Sequence, residues 1–273
     1  DALVSHPGVN AITFTGSVET GRRIAASAIG NMPRLQMEMG SKNALVVMDD
    51  ADLDLAVACA ANGAFGGTGQ KCTASSRLIV HDAVHDAFVE KLVAATMALK
   101  VGHALEDGTQ IGPVVSESQL AENLDYVALA KREGGEILCG GERMEMAHDG
   151  YYMAPCVVAG TGNDWRINRE EMFAPIACVI RAGSYEEALS LSNDTNFGLT
   201  AGIMTQSLAR AADFRRRAET GVVMVNLATA GTDYHVPFGG RGDSSYGPRE
   251  QGQYAIEFFT STKTAYIAAG PVT

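Results

Sequence analysis

Gly66-Gly67-Thr68-Gly69-Gln70-Lys71-Cys72-Thr73-Ala74-Ser75-Ser76-Arg77 marks the point where a helix-like run gives way to a strand-like one. Before it, residues 53–65 are apolar and Ala-rich. After it, Arg77-Leu78-Ile79-Val80-His81 has the content of a buried strand. Three glycines in four positions predict a tight turn. A cysteine in such a turn, among small residues, has room for a ligand and backbone N–H groups around it. Such surroundings would lower the thiol pKa and make a strong nucleophile. Cysteine is also among the most buried residue types, so this stretch alone leaves an inert structural thiol as the ordinary reading.

Working outward, the helix–turn–strand unit recurs along the chain. Residues 11–15 read as a short buried strand, followed by Gly16-Ser17 and helical spacing over 18–29, with Ser17 as the N-cap. A strand, a Gly turn and a helix N-terminus form an anion site, although most such turns are only caps. Residues 35–39 and 43–48 read as strands, and Asp49-Asp50-Ala51-Asp52 starts the helix that leads into the cysteine turn. Helices follow over 83–99 and 117–133, the latter stopped by Gly134-Gly135. Strands are expected at 136–139, 152–159, 176–180, 200–205 and 221–226, with helices over 185–192 and 208–218. This alternation predicts an α/β fold with parallel strand pairs. From Ala228 onward, Gly and Pro punctuate a long loop, followed by a helix over 250–258 and a final strand over 262–267. A terminal strand needs a partner, which favours pairing with another subunit.

The 273 residues suffice for one large domain or two ordinary ones. Thirty-two acidic against 21 basic residues give a formal net charge of −11, which argues against nucleic acid as a partner. Cys59, Cys72, Cys139, Cys156 and Cys178 are odd in number and widely spaced. They suggest no disulfide framework and fit a reducing, cytoplasmic setting. No metal-ligand spacing is present, so no metal is expected. No apolar run approaches the ~18 residues of a membrane span. Asp1 runs straight into structured-looking sequence without an initiator Met, so the chain is expected to be a fragment with an upstream part missing.

Two further clusters carry chemistry. Glu38, in Met37-Glu38-Met39-Gly40, is flanked by methionines, and desolvation would raise its pKa toward the range of a general base. Glu170-Glu171-Met172-Phe173-Ala174-Pro175 offers a carboxylate for sugar hydroxyls and a ring to pack on a flat group. A charged helix end with a hydrophobic anchor fits this stretch equally well.

Taken jointly, Phe14-Thr15-Gly16-Ser17, Glu38-Met39-Gly40-Ser41-Lys42-Asn43 and Gly69-Gln70-Lys71-Cys72 resemble the aldehyde dehydrogenase superfamily in order and spacing. Glu171-Met172-Phe173-Ala174-Pro175, Asn196-Phe197-Gly198-Leu199, Val225-Asn226 and Pro237-Phe238-Gly239-Gly240 continue the match across the chain. The resemblance implies an aldehyde dehydrogenase-like catalytic domain, with a remnant of the Rossmann-type cofactor domain and a C-terminal oligomerisation strand. The expected boundaries are residues 1–39, 40–240 and 241–273. It implies NAD or NADP as cofactor, an aldehyde as substrate and a homo-oligomer, dimer or tetramer. Cys72 would be the nucleophile and Glu38 the general base. Gly16 and Ser17 would meet the cofactor pyrophosphate, Glu171 the nicotinamide ribose and Phe173 the ring. Phe238 would wall the substrate tunnel, and the Cys72 N–H would form half of an oxyanion hole.

Departures from the family pattern accompany the match. Its oxyanion-hole Asn, its adenosine-ribose Lys and the residues that choose NAD or NADP would all lie upstream of Asp1. Ser41 stands where Gly is usual, Gly242 where Lys is usual, and Pro248 resembles an insertion. Gly66 replaces an aromatic wall and would open the pocket to a longer or polar substrate. Residues 244–252, with His235-Val236-Pro237-Phe238, are similar to the branch that oxidises 2,5-dioxopentanoate. Arg241 and Thr232 are weak candidates to meet a substrate carboxylate, Arg241 reading more readily as a surface charge. Two other readings remain: a half-subunit with at most residual Cys72 esterase activity, or a thiol hydrolase using His81 or His85.

Overall fold

A computed structural model describes residues 2–270. Asp1 and residues 271–273, the outer ends of the expected first and last segments, lie outside the described residues. The strands are β1 (Ala11–Thr15), β2 (Arg34–Glu38), β3 (Asn43–Val47), β4 (Ser75–His81), β5 (Glu136–Cys139), β6 (Arg143–Met144), β7 (Tyr152–Met153), β8 (Cys156–Ala159), β9 (Ile176–Ala182), β10 (Thr200–Met204), β11 (Val222–Val225) and β12 (Ser245–Tyr246). The helices are α1 (Val18–Ala28), α2 (Leu53–Phe65), α3 (His85–Met97), α4 (Glu117–Glu133), α5 (Arg166–Arg169), α6 (Tyr185–Asn193), α7 (Leu208–Arg217) and α8 (Gly252–Phe259).

The main sheet has strand order β11-β10-β3-β4-β9-β8-β5, parallel except for the β5–β8 pair. Both of its faces are covered. Leu45 and Val47 of β3 and Leu78 and Val80 of β4 pack with α2 and α3 side chains, including Phe65, Phe88 and Leu92. Ala44, Val46 and Ile79 point the other way, to Ala188 and Leu189 of α6 and Phe214 of α7. Burial on both faces explains why β3 and β4 read as unbroken apolar runs and not as alternating ones. Under α4, a third cluster joins Leu120 and Val127 to Val158, Ile176 and Cys178.

A smaller sheet, β1-β2-β12, carries the N-terminal strands. β1 and β2 are parallel, joined through α1, and β12 returns antiparallel to β2. The helix starts follow their caps. Ser17 accepts the Thr20 N–H at 3.2 Å, the Asp52 carboxylate accepts those of Asp54 and Leu55, and Ser116 accepts that of Gln119. Gly134, at φ 102°, closes α4 in the left-handed region as expected.

Two expectations change. The run 152–159 is two strands, because Pro155 offers no N–H and the Ala154 carbonyl turns to accept from Gly141 N. The final run, 262–267, joins no ladder among the described residues, and Tyr266 and Ile267 are 97% and 94% exposed. A strand needs an edge to pair with, and this run pairs with none of the sheet edges among the described residues.

Candidate active site

The cysteine turn is forced by backbone conformation. After α2, Gly67 and Thr68 sit at φ 65° and 63°, and Gly69 at φ 65°. At Gly69 a Cβ would lie 2.1 Å from the Ala174 carbonyl oxygen, so only glycine fits. Thr68 tolerates the left-handed region while its hydroxyl donates to the Gly112 carbonyl at 3.1 Å. Asn43, at the start of β3, holds the other side of the turn. Its Nδ2 donates to the Cys72 and Ala74 carbonyls at 2.8 and 2.9 Å, while its Oδ1 accepts from Thr200 N and the Ser41 hydroxyl. Cys72 is thus pinned between α2 and β4 by a side chain that the sequence reading did not single out.

Cys72 opens on a cleft of about 630 Å³. Thr15, Gly16, Ser17, Met39, Gly40, Gln119, Glu171 and Phe173 are among the residues that line it. The structure therefore brings Cys72, Gly16, Ser17, Glu171 and Phe173 together. Gly16, just before the Ser17 N-cap of α1, has no room for a side chain: a Cβ there would stand 2.5 Å from the Phe14 ring. Glu171 turns its carboxylate over the strand end. Its Oε1 accepts the Ser41 N–H at 2.9 Å, and its Oε2 fills the space a Cβ on Gly40 would need. Phe173 adopts φ 53° and is 39% exposed, a strained backbone that keeps its ring on the cleft. A helix N-terminus, a carboxylate and an exposed ring around one cleft suit a ligand with phosphate, vicinal hydroxyls and a flat heterocycle.

Glu38 lies outside that cleft lining, only 3% exposed, at the end of β2. Ser245 Oγ donates to its Oε2 at 2.8 Å, and Oε1 is buried with no partner among the described residues. Burial pushes this carboxyl up to about 7. The Ser245 hydrogen bond opposes the rise, Glu250 adds to it and Arg249 lowers it. The expectation for the thiol is corrected. Burial first, then the charges of Glu171 and Glu38, push Cys72 up, and only its own backbone N–H pulls the other way. The glycine turn gives access, but no cation offsets this rise, not even Lys71, which lines the same cleft.

The remaining candidates lie elsewhere. Phe238 is buried and lines a neighbouring cleft of about 910 Å³ with Cys59, Asn62, Met224, Leu227 and Val236; Thr232 also edges it, and Gly231 lines both this cleft and that of Cys72. Gly66 lines neither cleft; a Cβ there would come 3.1 Å from Asn62 Oδ1. Arg241 is exposed. His85 pairs with Asp86, His81 accepts the Ala83 N–H, and neither lines the cysteine cleft. Among the described residues no helix is long and apolar enough to cross a membrane, and no His, Cys, Asp or Glu cluster could hold a metal.

Residues 1–265 match the family model described as the aldehyde dehydrogenase family. An alpha-ketoglutaric semialdehyde dehydrogenase from Bacillus subtilis (strain 168) is 41% identical over 267 residues, 97% of this chain and 55% of its own length. A betaine aldehyde dehydrogenase from Rhizobium johnstonii is 39% identical over 271 residues, 99% of this chain and 55% of the relative. The chain thus spans about half the length of the curated relatives it matches. Among solved structures, betaine aldehyde dehydrogenase from Staphylococcus aureus in complex with NAD+ superposes with a TM-score of 0.90 at 32% identity, covering 93% of this chain and 51% of that one. HpcC from Thermus thermophilus gives 0.92 at 37% identity, covering 100% and 54%.

Proposed function

The chain belongs to the aldehyde dehydrogenase family, and we propose that it carries the catalytic half of an enzyme that oxidises an aldehyde to a carboxylic acid with NAD or NADP. The observation that carries this reading is the single cleft shared by Cys72, the Gly16–Ser17 helix start, Glu171 and Phe173. Residues 1–39 would be the end of the cofactor domain, 40–240 the catalytic domain and 241–273 the return segment and oligomerisation strand.

Cys72 Sγ adds to the aldehyde carbonyl carbon, and the thiol proton leaves as the thiohemiacetal forms. Because the thiol is pushed up, it needs a base, and a carboxylate near 7 is matched to that task at neutral pH. The carbonyl hydrogen then departs with its electron pair, leaving a thioester on Sγ. The bound nicotinamide would supply the acceptor for that pair. Glu38 takes a proton from water as its oxygen attacks the thioester, which releases the acid and restores the thiol. The Cys72 N–H would steady the oxyanion at both addition steps. Gly16 and Ser17 would hold the pyrophosphate, Glu171 the nicotinamide ribose and Phe173 the ring. The absent Cβ atoms let the Phe14 ring pack against Gly16 and the Glu171 carboxylate against Gly40, where each helps to shape the cleft.

The substrate we infer is a semialdehyde such as 2,5-dioxopentanoate. This rests on the 41% identity with the Bacillus subtilis relative and on residues 244–252. Phe238 and Gly66 would border its path. The exposed run ending in Tyr266 and Ile267 supports a homo-oligomer in which that run pairs with a second subunit. A cytoplasmic setting fits five free cysteines. The test is to incubate the protein with NAD or NADP and either 2,5-dioxopentanoate or betaine aldehyde, following reduced nicotinamide. Wild-type turnover that is lost in Cys72→Ala is expected; turnover retained in Cys72→Ala overturns the reading. The second reading, favoured by the half-length match, is a piece with residual esterase activity only. Cleavage of a p-nitrophenyl ester without cofactor reduction would support it.

A further inference from the structure

Glu38 ends β2, Ser245 opens β12, and the two stand directly opposite each other in the antiparallel ladder. They are 207 positions apart in sequence, so only the return of the chain brings them together. The Ser245 Oγ accepts the Gly240 backbone N–H at 2.6 Å and lies 2.8 Å from Glu38 Oε2. A hydroxyl has one proton to give. Since Gly240 N–H can only donate, the Ser245 proton is directed onto the carboxylate. The same loop closes over the other oxygen, because a Cβ on Gly239 would lie 2.8 Å from Glu38 Oε1. Oε1 is buried and makes no hydrogen bond among the described residues. One oxygen is therefore tethered, and the other is left free to take a proton.

We propose that Ser245 is the positioning residue of the general base: it fixes which oxygen of Glu38 is tethered and favours the carboxylate in its charged form. This rests on reading Glu38 as the base of aldehyde oxidation. The charged groups acting on Glu38 are few. Arg249, which donates to the Gly240 carbonyl from the same loop, favours its anion, and Glu250 opposes it. Across the site, Glu38 bears on Cys72. Of these, Ser245 alone makes a hydrogen bond to the carboxylate, and a bond donated to the charged form lowers the pKa. Removing it must raise the carboxyl further and shrink the fraction that can act as a base at neutral pH.

The experiment is a pH titration of side-chain carboxyl-13C-labelled glutamate by NMR on the full chain, with the Glu38 resonance identified by its loss in Glu38→Gln. Ser245→Ala, and Ser245→Cys with its similar size and weak donor, should each move the Glu38 midpoint up by about one pH unit. Ser245→Thr, which keeps the hydroxyl, should restore it. A midpoint unchanged in both the Ala and Cys variants overturns the proposal. So does a shift that threonine fails to reverse, since that would report a disturbed ladder and not a lost hydrogen bond. The acid limb of aldehyde oxidation should move by the same amount. If the wild type turns over no aldehyde while the titration shifts as expected, the functional reading falls and the tether stands.

Discussion

The Glu171 carboxylate occupies the volume that a side chain on Gly40 would need: Oε2 lies 1.9 Å from the position of a Cβ there, while Oε1 accepts the Ser41 N–H at 2.9 Å. Gly40 thus lets a carboxylate lie flat against the strand end and face the cleft. Gly40→Ala should push that carboxylate out of place without exposing any core. A misplacement of about 1 Å costs on the order of a hundredfold, so kcat/KM for aldehyde oxidation should fall by about that factor. Titration calorimetry should show weaker cofactor binding with the thermal midpoint nearly unchanged. Undiminished cofactor binding would mean that Glu171 does not hold the ribose.

Glu38 predicts two pH dependences of opposite sense. As a base it works deprotonated, so turnover should rise with pH through about 7 and then level off, and Glu38→Gln should lower it by roughly 10²–10⁴-fold. For stability the sign is reversed. The folded state binds this proton more tightly than the unfolded chain does, from the ordinary 4.5 up to about 7. Its contribution is therefore fully present below about 4.5 and is lost as pH rises through 7. Relative to wild type, Glu38→Gln should gain stability between pH 5 and pH 8, by on the order of 3 kcal/mol in urea unfolding. A stability difference that does not change with pH would contradict the buried, raised carboxyl.

What the sequence made legible follows from which forces act locally. Ser17, Asp52 and Ser116 could be read as caps because a cap bonds within its own first turn. β3 and β4 could be read as buried strands because burial on both faces leaves an unbroken apolar run. The cysteine turn could be read from its glycines, since Gly69 has no room for a Cβ. The sign of the Cys72 shift could not, because it depends first on burial and then on Glu171 and Glu38, all supplied by segments distant in sequence. Ser245 stood inside the 244–252 stretch, but its contact with Glu38 gave no signal, since β12 is two residues long and Glu38 lies 207 positions earlier. Asn43 stood inside a quoted motif, but its clamp on the Cys72 carbonyl appears only once β3 and the turn are adjacent. Phe238 was placed on the substrate path by resemblance, and the fold gives it a cleft beside the one that holds Cys72.

The thiol itself can be probed without substrate. Burial pushes Cys72 above the ordinary thiol value of 9.0, with Glu171 the largest of the three charges, Glu171, Glu38 and Glu250, that add to the effect. Only the thiolate reacts with an alkylating agent. Iodoacetamide labelling at Cys72, resolved from the other four cysteines by peptide mass spectrometry, should be slow at neutral pH and climb steeply in alkali. Glu171→Gln removes one opposing charge and should raise the neutral labelling rate. A rate unchanged or lowered would show that Glu171 does not bear on the thiol.

Arg77 ties the strand that follows Cys72 to α6 and to the segments carrying Lys42 and Asn163. It is 1% exposed, and its guanidinium donates to the carbonyls of Lys42, Leu191 and Ser192 and to Asn163 Oδ1, at 2.8 to 3.0 Å. Burial pushes it down to about 10, so the four bonds hold a cation that has been largely stripped of water. Arg77→Met fills the volume but leaves four buried acceptors without a donor. It should cost about 3–5 kcal/mol in denaturant unfolding. Arg77→Lys keeps the charge but loses the planar fork, and should fall between the two. Because Lys42 directly follows Ser41, loss of its carbonyl anchor should also loosen the Ser41 N–H that holds Glu171. Arg77→Lys should therefore weaken cofactor binding as well as stability. A stability loss below about 1 kcal/mol in the methionine variant would place Arg77 among replaceable surface-like charges and remove this link between the core and the cleft.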